Sequence, residues 1–104
     1  MYLVDIPNAR RGTIIDVRSS EEFLLGHAHR SVNIPWDMHM YYLSELAELP
    51  QPWIFVCNVG WRSGLVIHSL KTIGFSDLYN GGSWLSVLQQ QEAMGDTLEP
   101  LTEL

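Results

Sequence analysis

Five consecutive apolar residues, Trp53-Ile54-Phe55-Val56-Cys57, constrain this chain more than any other feature. A run of that length without polar alternation suits a strand buried on both faces, as in a parallel sheet covered by helices. Pro50 and Pro52 precede it, and a loop from Asn58 to Trp61 with Gly60 inside it follows. Other strands are predicted at Tyr2-Leu3-Val4, Thr13 to Val17, Ser31 to Ile34 and Asp77-Leu78-Tyr79. Ser19-x-x-Glu22 is a capping box opening a short helix that Gly26 stops. Asp37 can cap a second helix, in which Met38, Tyr42, Leu46 and Leu49 form one apolar stripe. A third helix is predicted from Ser63 to Ile73, with Val66, Leu70 and Ile73 on one face and Gly74 as its stop. Gly81-Gly82 reads as a turn, and Ser83 as the cap of a last helix carrying Trp84, Leu85 and Leu88. Strand and helix alternating at this spacing predict an α/β fold with a mostly parallel central sheet.

The 104 residues are one domain's worth, so residues 1–104 are read as a single domain. An apolar share of 46 % is enough for a core and argues against disorder. A single cysteine excludes a disulfide scaffold. Six Lys and Arg against twelve Asp and Glu give a net charge of −6, opposite to the usual sign of a nucleic-acid protein. The overall field repels anions, so an anionic substrate needs a local positive site. No stretch approaches the roughly 20 apolar residues of a membrane span. With no signal-peptide pattern and one free thiol, a cytoplasmic location is expected. Residues 92–104 hold four acids and no base, and a loosely packed acidic tail is expected there.

In open α/β sheets, sites lie at the carboxyl ends of the strands. Cys57 ends the most apolar strand, and the loop Asn58-Val59-Gly60-Trp61-Arg62 leads from it into a helix. A helix start offers unpaired N–H groups and the positive end of the macrodipole. A tight loop turns several N–H groups toward one point, and Gly60 supplies the backbone freedom for it. Arg62 adds a positive charge. Together these lower a cysteine pKa and make the sulfur nucleophilic. The competing reading is a core residue, because cysteine is among the most buried types. Cys-x4-Arg alone is a weak signal, and the strand–loop–helix context strengthens it.

The residues then resemble the rhodanese family. Ile15-Asp16-Val17-Arg18, Glu22-Phe23, and Gly26-His27 leading to Asn33-Ile34-Pro35 resemble its N-terminal signature. Val56-Cys57-Asn58-Val59-Gly60-Trp61-Arg62-Ser63 resembles its active-site loop, and Gly74-Phe75 with Leu78-Tyr79-Asn80-Gly81-Gly82 and Trp84 its C-terminal signature. The ordered set covers Thr13 to about Leu88. The resemblance implies a three-layer α/β/α sandwich with about five parallel strands. It implies a sulfurtransferase in which Cys57 is the catalytic residue and cycles between thiolate and persulfide. The sulfur comes from thiosulfate or a similar small anionic donor and passes to a thiol, a protein acceptor or cyanide. Backbone N–H groups of Asn58, Val59, Gly60, Trp61 and Arg62 would hold the anionic sulfur, and Arg62 would orient the donor. No cofactor is implied beyond the covalent persulfide. Neither nucleic acid nor membrane is an expected partner.

The alternatives are a non-catalytic sulfur-binding or protein-interaction module on the same fold, and a small-anion phosphatase or reductase. The six-residue span from Cys57 to Arg62 is one shorter than the Cys-x5-Arg loop of related phosphatases, and it holds no Asp to act as general acid. Arg30 stands where the family usually has glycine, which implies a different backbone conformation or an arginine at the pocket mouth. Only twelve residues precede Thr13, so a trimmed first part of the fold is expected. Asp16 and Arg18 are read as an ion-pair network with Glu22 that fixes a turn. His27 is read as a residue that satisfies backbone groups, and His29 and His39 as solvent-facing. No His, Cys or carboxylate set has metal-ligand spacing, so no metal is expected. Trp53 and Trp84 are expected in the core, Trp36 over the pocket, and Trp61 at the surface as a contact for a partner.

Overall fold

A computed structural model describes residues 2–95. Its centre is a four-stranded parallel sheet in the order β2-β1-β3-β4, with β1 at Thr13–Asp16, β2 at Val32–Asn33, β3 at Trp53–Cys57 and β4 at Leu78–Ser83. Every residue of β3 is buried, as its unbroken apolar run predicts. The α helices are α1 (Ser20–Leu25), α2 (Leu43–Ala47), α3 (Trp61–Thr72) and α4 (Trp84–Ala93).

Alternation along the strands divides the core in two. Ile15, Val17, Phe55 and Cys57 face one side and pack with Leu46 of α2 and with Val66 and Leu70 of α3. Ile14, Ile54 and Val56 face the other, against Val87, Trp84 and Leu88 of α4 and Leu3 of the N-terminal segment. The sheet therefore lies between two helical layers, the α/β/α arrangement that the motifs imply.

Several expectations need correction. Among the described residues the sheet has four strands rather than about five. Tyr2-Leu3-Val4 is no strand: Leu3–Asp5 forms a 3-10 turn, and the Leu3 amide donates to Gln90 Oε1 at 2.8 Å. Partnered by a side chain of α4, this segment covers a face of the sheet instead of extending its edge. The single helix expected after Asp37 is a 3-10 turn at His39–Tyr42 followed by α2, and no Asp37 side-chain cap forms. Of its apolar stripe only Leu46 is fully buried; Met38 and Tyr42 are exposed. Helix α3 starts two residues early, and Ile73 is half exposed rather than part of the buried face.

Gly81-Gly82 is not a turn but the irregular middle of β4, where the register against β3 shifts between Phe55 and Val56. Gly81 is required there: a Cβ would stand 2.9 Å from both Ile54 Cγ2 and Val56 Cγ1. The Ser83 cap forms as expected, accepting from the Ser86 amide at 3.2 Å. Helix α4 continues to Ala93 and Met94 packs on the second core, while residues 96–104 of the expected acidic tail lie outside the described residues.

Candidate active site

Strands β1 and β3 are the two central strands, and their carboxyl ends meet. The Val17 amide donates to Val56 O at 2.9 Å, and the Trp36 amide donates to Val17 O at 2.8 Å. Val56, Val17 and Trp36 thus form one row across the end of the sheet, with Cys57 one residue beyond it.

Cys57 is fully buried, and the loop after it folds back over its sulfur. The Gly60 amide donates to Cys57 Sγ at 3.0 Å. Gly60 has φ +98°, a left-handed conformation that a side chain would strain, and it serves as the N-cap of α3. The Ser63 hydroxyl lies 3.5 Å from the same sulfur. Burial pushes the Cys57 thiol up. The Ser63 hydroxyl and the amides of Ser63, Gly60 and Val59 more than offset that, so the thiol stands below its usual value.

A second side chain holds the loop in this shape. Asn80 of β4 donates to Gly60 O at 2.9 Å, and its Oδ1 accepts from Ser63 Oγ at 2.7 Å and from the Gly82 amide at 3.0 Å. The Ser63 hydroxyl has one proton and three neighbours that can take it: Asn80 Oδ1, Gly60 O and Cys57 Sγ. A thiolate is the only anion of the three, so ionisation of Cys57 draws that proton toward sulfur.

Val59 and Trp61 are exposed, and Asn58 donates to Glu22 Oε2 at 3.0 Å. Arg62 donates from Nη1 to Glu22 Oε1 at 3.0 Å. That partner raises the Arg62 pKa, and the guanidinium in turn holds the Glu22 carboxyl down at about 2, with help from the Ser19 amide. Glu22 also completes the α1 capping box with Ser19. The expected Asp16–Arg18–Glu22 network is therefore two separate pairs. Arg18 binds Asp16 bidentately, with Nη2 to Oδ2 at 2.7 Å, both side chains essentially buried, and it lies 4.4 Å from the centroid of Trp84. Glu22 belongs to the Cys57 loop.

Trp84 is partly buried, and Trp53 is in the core as expected. Trp36 and Trp61 come together, with ring centroids 6.0 Å apart. Arg30 keeps a left-handed backbone at φ +58° and lines a cavity with Leu3, Ile14 and Ile54, on the sheet face opposite Cys57 rather than at its mouth. His27 Nδ1 bonds Phe23 O at 2.7 Å, a backbone role as expected. His29 and His39 are half-buried and bonded, to Glu92 and to Ser69, rather than solvent-facing. Among the described residues no group of three or more His, Cys, Asp or Glu is placed to hold a metal ion, and no helix is long and apolar enough to cross a membrane.

Sequence reasoning missed Asn80 and the Glu22–Arg62 pair. An Asn directly before Gly-Gly marks special backbone, but only the fold shows that its side chain reaches the loop.

Comparison with known proteins agrees with the fold. A family model described as a rhodanese-like domain matches residues 2–85. A rhodanese from E. coli, described with anions, superposes with a TM-score of 0.65 at 24% identity, covering 72% of this chain and 89% of that one. A rhodanese-related protein of Thermoplasma volcanium gives 0.66 at 21% identity over 88% and 90% of the two chains. A human single-domain sulfurtransferase gives 0.61 at 24% identity over 81% and 89%. The search of curated proteins gives no match.

Proposed function

Because the chain belongs to the rhodanese-like domain family, we propose that it is a sulfurtransferase carrying sulfur as a persulfide on Cys57. The observation that carries this reading is the Gly60 amide held 3.0 Å from Cys57 Sγ by a loop that Asn80 and Glu22 pin from two sides. Preorganised donors around a sulfur stabilise negative charge on it without reorganisation during the reaction.

In the first half-reaction the Cys57 thiolate attacks the outer sulfur of a sulfane donor such as thiosulfate. A new S–S bond forms, the donor's S–S bond breaks, and sulfite leaves with the electron pair. In the second, a thiol of a small molecule or protein, or cyanide, takes the outer sulfur and the Cys57 thiolate returns. The two halves give ping-pong kinetics. Because Cys57 has no solvent exposure, the loop folded over its sulfur moves aside to admit the donor. The carried sulfur is covalent, so the chemistry calls on no separate cofactor, and a reducing cytoplasm suits a thiol that must stay free.

The test is intact mass after incubation of reduced protein with excess thiosulfate. Wild type is expected to gain one sulfur and to release thiocyanate on addition of cyanide, and Cys57→Ser to do neither. A folded wild type that gains no sulfur either from thiosulfate or from a singly charged organic thiosulfonate would overturn the proposal. The full burial of Cys57 would then favour the second reading, a binding module without turnover.

A further inference from the structure

Two indoles stand at the same end of the sheet as Cys57, where Arg18, just past β1, and Arg62, in α3, are already paired. Trp36 lies in the row across the strand ends, one residue short of Cys57. Trp61 follows Gly60, whose amide touches the sulfur. Their rings meet at 6.0 Å and 57°, with 36% of Trp36 and 59% of Trp61 exposed. Val59, on the same loop, is 77% exposed.

The charges point the same way. Arg62 is bound to Glu22 through both terminal nitrogens, and Arg18 to Asp16. Each cation is largely neutralised by a carboxylate within hydrogen-bond distance, in a molecule of net charge −6. A doubly charged donor therefore finds neither arginine free to pair with it. An apolar group on the donor meets two indole surfaces it can cover.

We propose that Trp36 and Trp61 bind the organic group of the sulfur donor. The donor class selected is a sulfane donor of at most one negative charge with an apolar substituent on its inner sulfur. The inference rests on the sulfurtransferase reading above and names the substrate class of that site. With an organic thiosulfonate the step balances as follows. The Cys57 thiolate attacks the terminal sulfur of R–SO2–S⁻, a Cys57 S–S bond forms, and the donor S–S bond breaks. R–SO2⁻ then leaves with the electron pair. One negative charge stays on the persulfide and one on the sulfinate, as in the reactants.

Three reagents separate charge from apolar contact: thiosulfate, methanethiosulfonate and benzenethiosulfonate, each with cyanide as acceptor. Wild type is expected to prefer benzenethiosulfonate to methanethiosulfonate by about tenfold in kcat/KM and to use thiosulfate least. Trp61→Ala and Trp36→Ala should each shrink the benzene-to-methane ratio, and Trp61→Phe should restore much of it. A wild-type ratio near one, or a ratio unmoved in both alanine variants, overturns the proposal while mass spectrometry still shows sulfur on Cys57. If none of the three reagents places sulfur on Cys57, the sulfurtransferase reading itself falls, and this inference with it.

Discussion

The Glu22 carboxylate binds both terminal nitrogens of Arg62 across 40 positions of sequence, at 3.0 and 3.3 Å. The same carboxylate accepts from the Ser19 amide at 3.0 Å and from Asn58 at 3.0 Å. One side chain thus caps a helix and ties that helix to both ends of the loop around Cys57. A helix-capping acid is thus also a strut of the candidate site.

This pair makes stability depend on acid. The Glu22 carboxyl is held at about 2 against an ordinary 4.5, chiefly by Arg62. A depressed carboxyl contributes stability that is complete above its unfolded value and is lost as pH falls through its folded value. The window therefore runs from about 4.5 down to about 2. Glu22 is one-third exposed, so after solvent screening its share is about 1 kcal/mol. Denaturant unfolding of wild type and Glu22→Gln should differ by that amount at pH 7 and converge near pH 2. A gap of equal size at both pH values would show that the charge is not what matters.

Ser63 and Asn80 should act on the sulfur rather than only on the fold. Removing the hydroxyl in Ser63→Ala takes away a group that stabilises the thiolate, so the Cys57 pKa should rise. Alkylation with iodoacetamide followed against pH should show a midpoint below that of an ordinary cysteine in wild type and a higher one in Ser63→Ala. Asn80→Ala should also raise it, because Gly60 O loses its anchor. An unshifted midpoint in both variants would leave the network a purely structural role.

Asp16→Asn should be among the most damaging single changes. It leaves the Arg18 guanidinium buried beside a neutral amide, and breaking a buried pair on one side costs about 3–5 kcal/mol. Thermal unfolding would read the loss directly. A variant as stable as wild type would mean that the stacking of Arg18 on Trp84 and its bond to Gly26 O suffice.

Gly81→Ala should destabilise by about 1–3 kcal/mol, the range for overpacking a filled core. Its Cβ would press on Ile54 and Val56 in the middle of the sheet. Gly74→Ala is the control, because its Cβ would meet nothing within 4 Å and only its φ of +104° is unfavourable. Equal unfolding midpoints for the two variants would contradict the steric argument.

Strand β3, the capping box at Ser19 and the Ser83 cap were readable because each depends on neighbours within a few residues. The loop from Cys57 to Arg62 was readable as a unit for the same reason. The N-terminal segment was misread because Leu3 and Val4 carry strand propensity, while Gln90, far along the chain, supplies the partner that holds Leu3 in a turn. The helix expected after Asp37 was misread because a regular apolar spacing does not reveal which positions reach the core; Met38 and Tyr42 do not.

Local pattern determined that Cys57 ends a buried strand and that a turned loop leads from it into a helix. Hydrophobic periodicity and turn chemistry act over a few residues and are written in the order of the amino acids. Only the tertiary structure decided what holds that loop. Asn80 reaches Gly60 because the bulged β4 lies beside β3, and Glu22 reaches Arg62 because β1 and β3 end side by side. Hydrogen bonds and ion pairs select partners by distance and direction in space, and those follow from packing strands that the sequence keeps far apart.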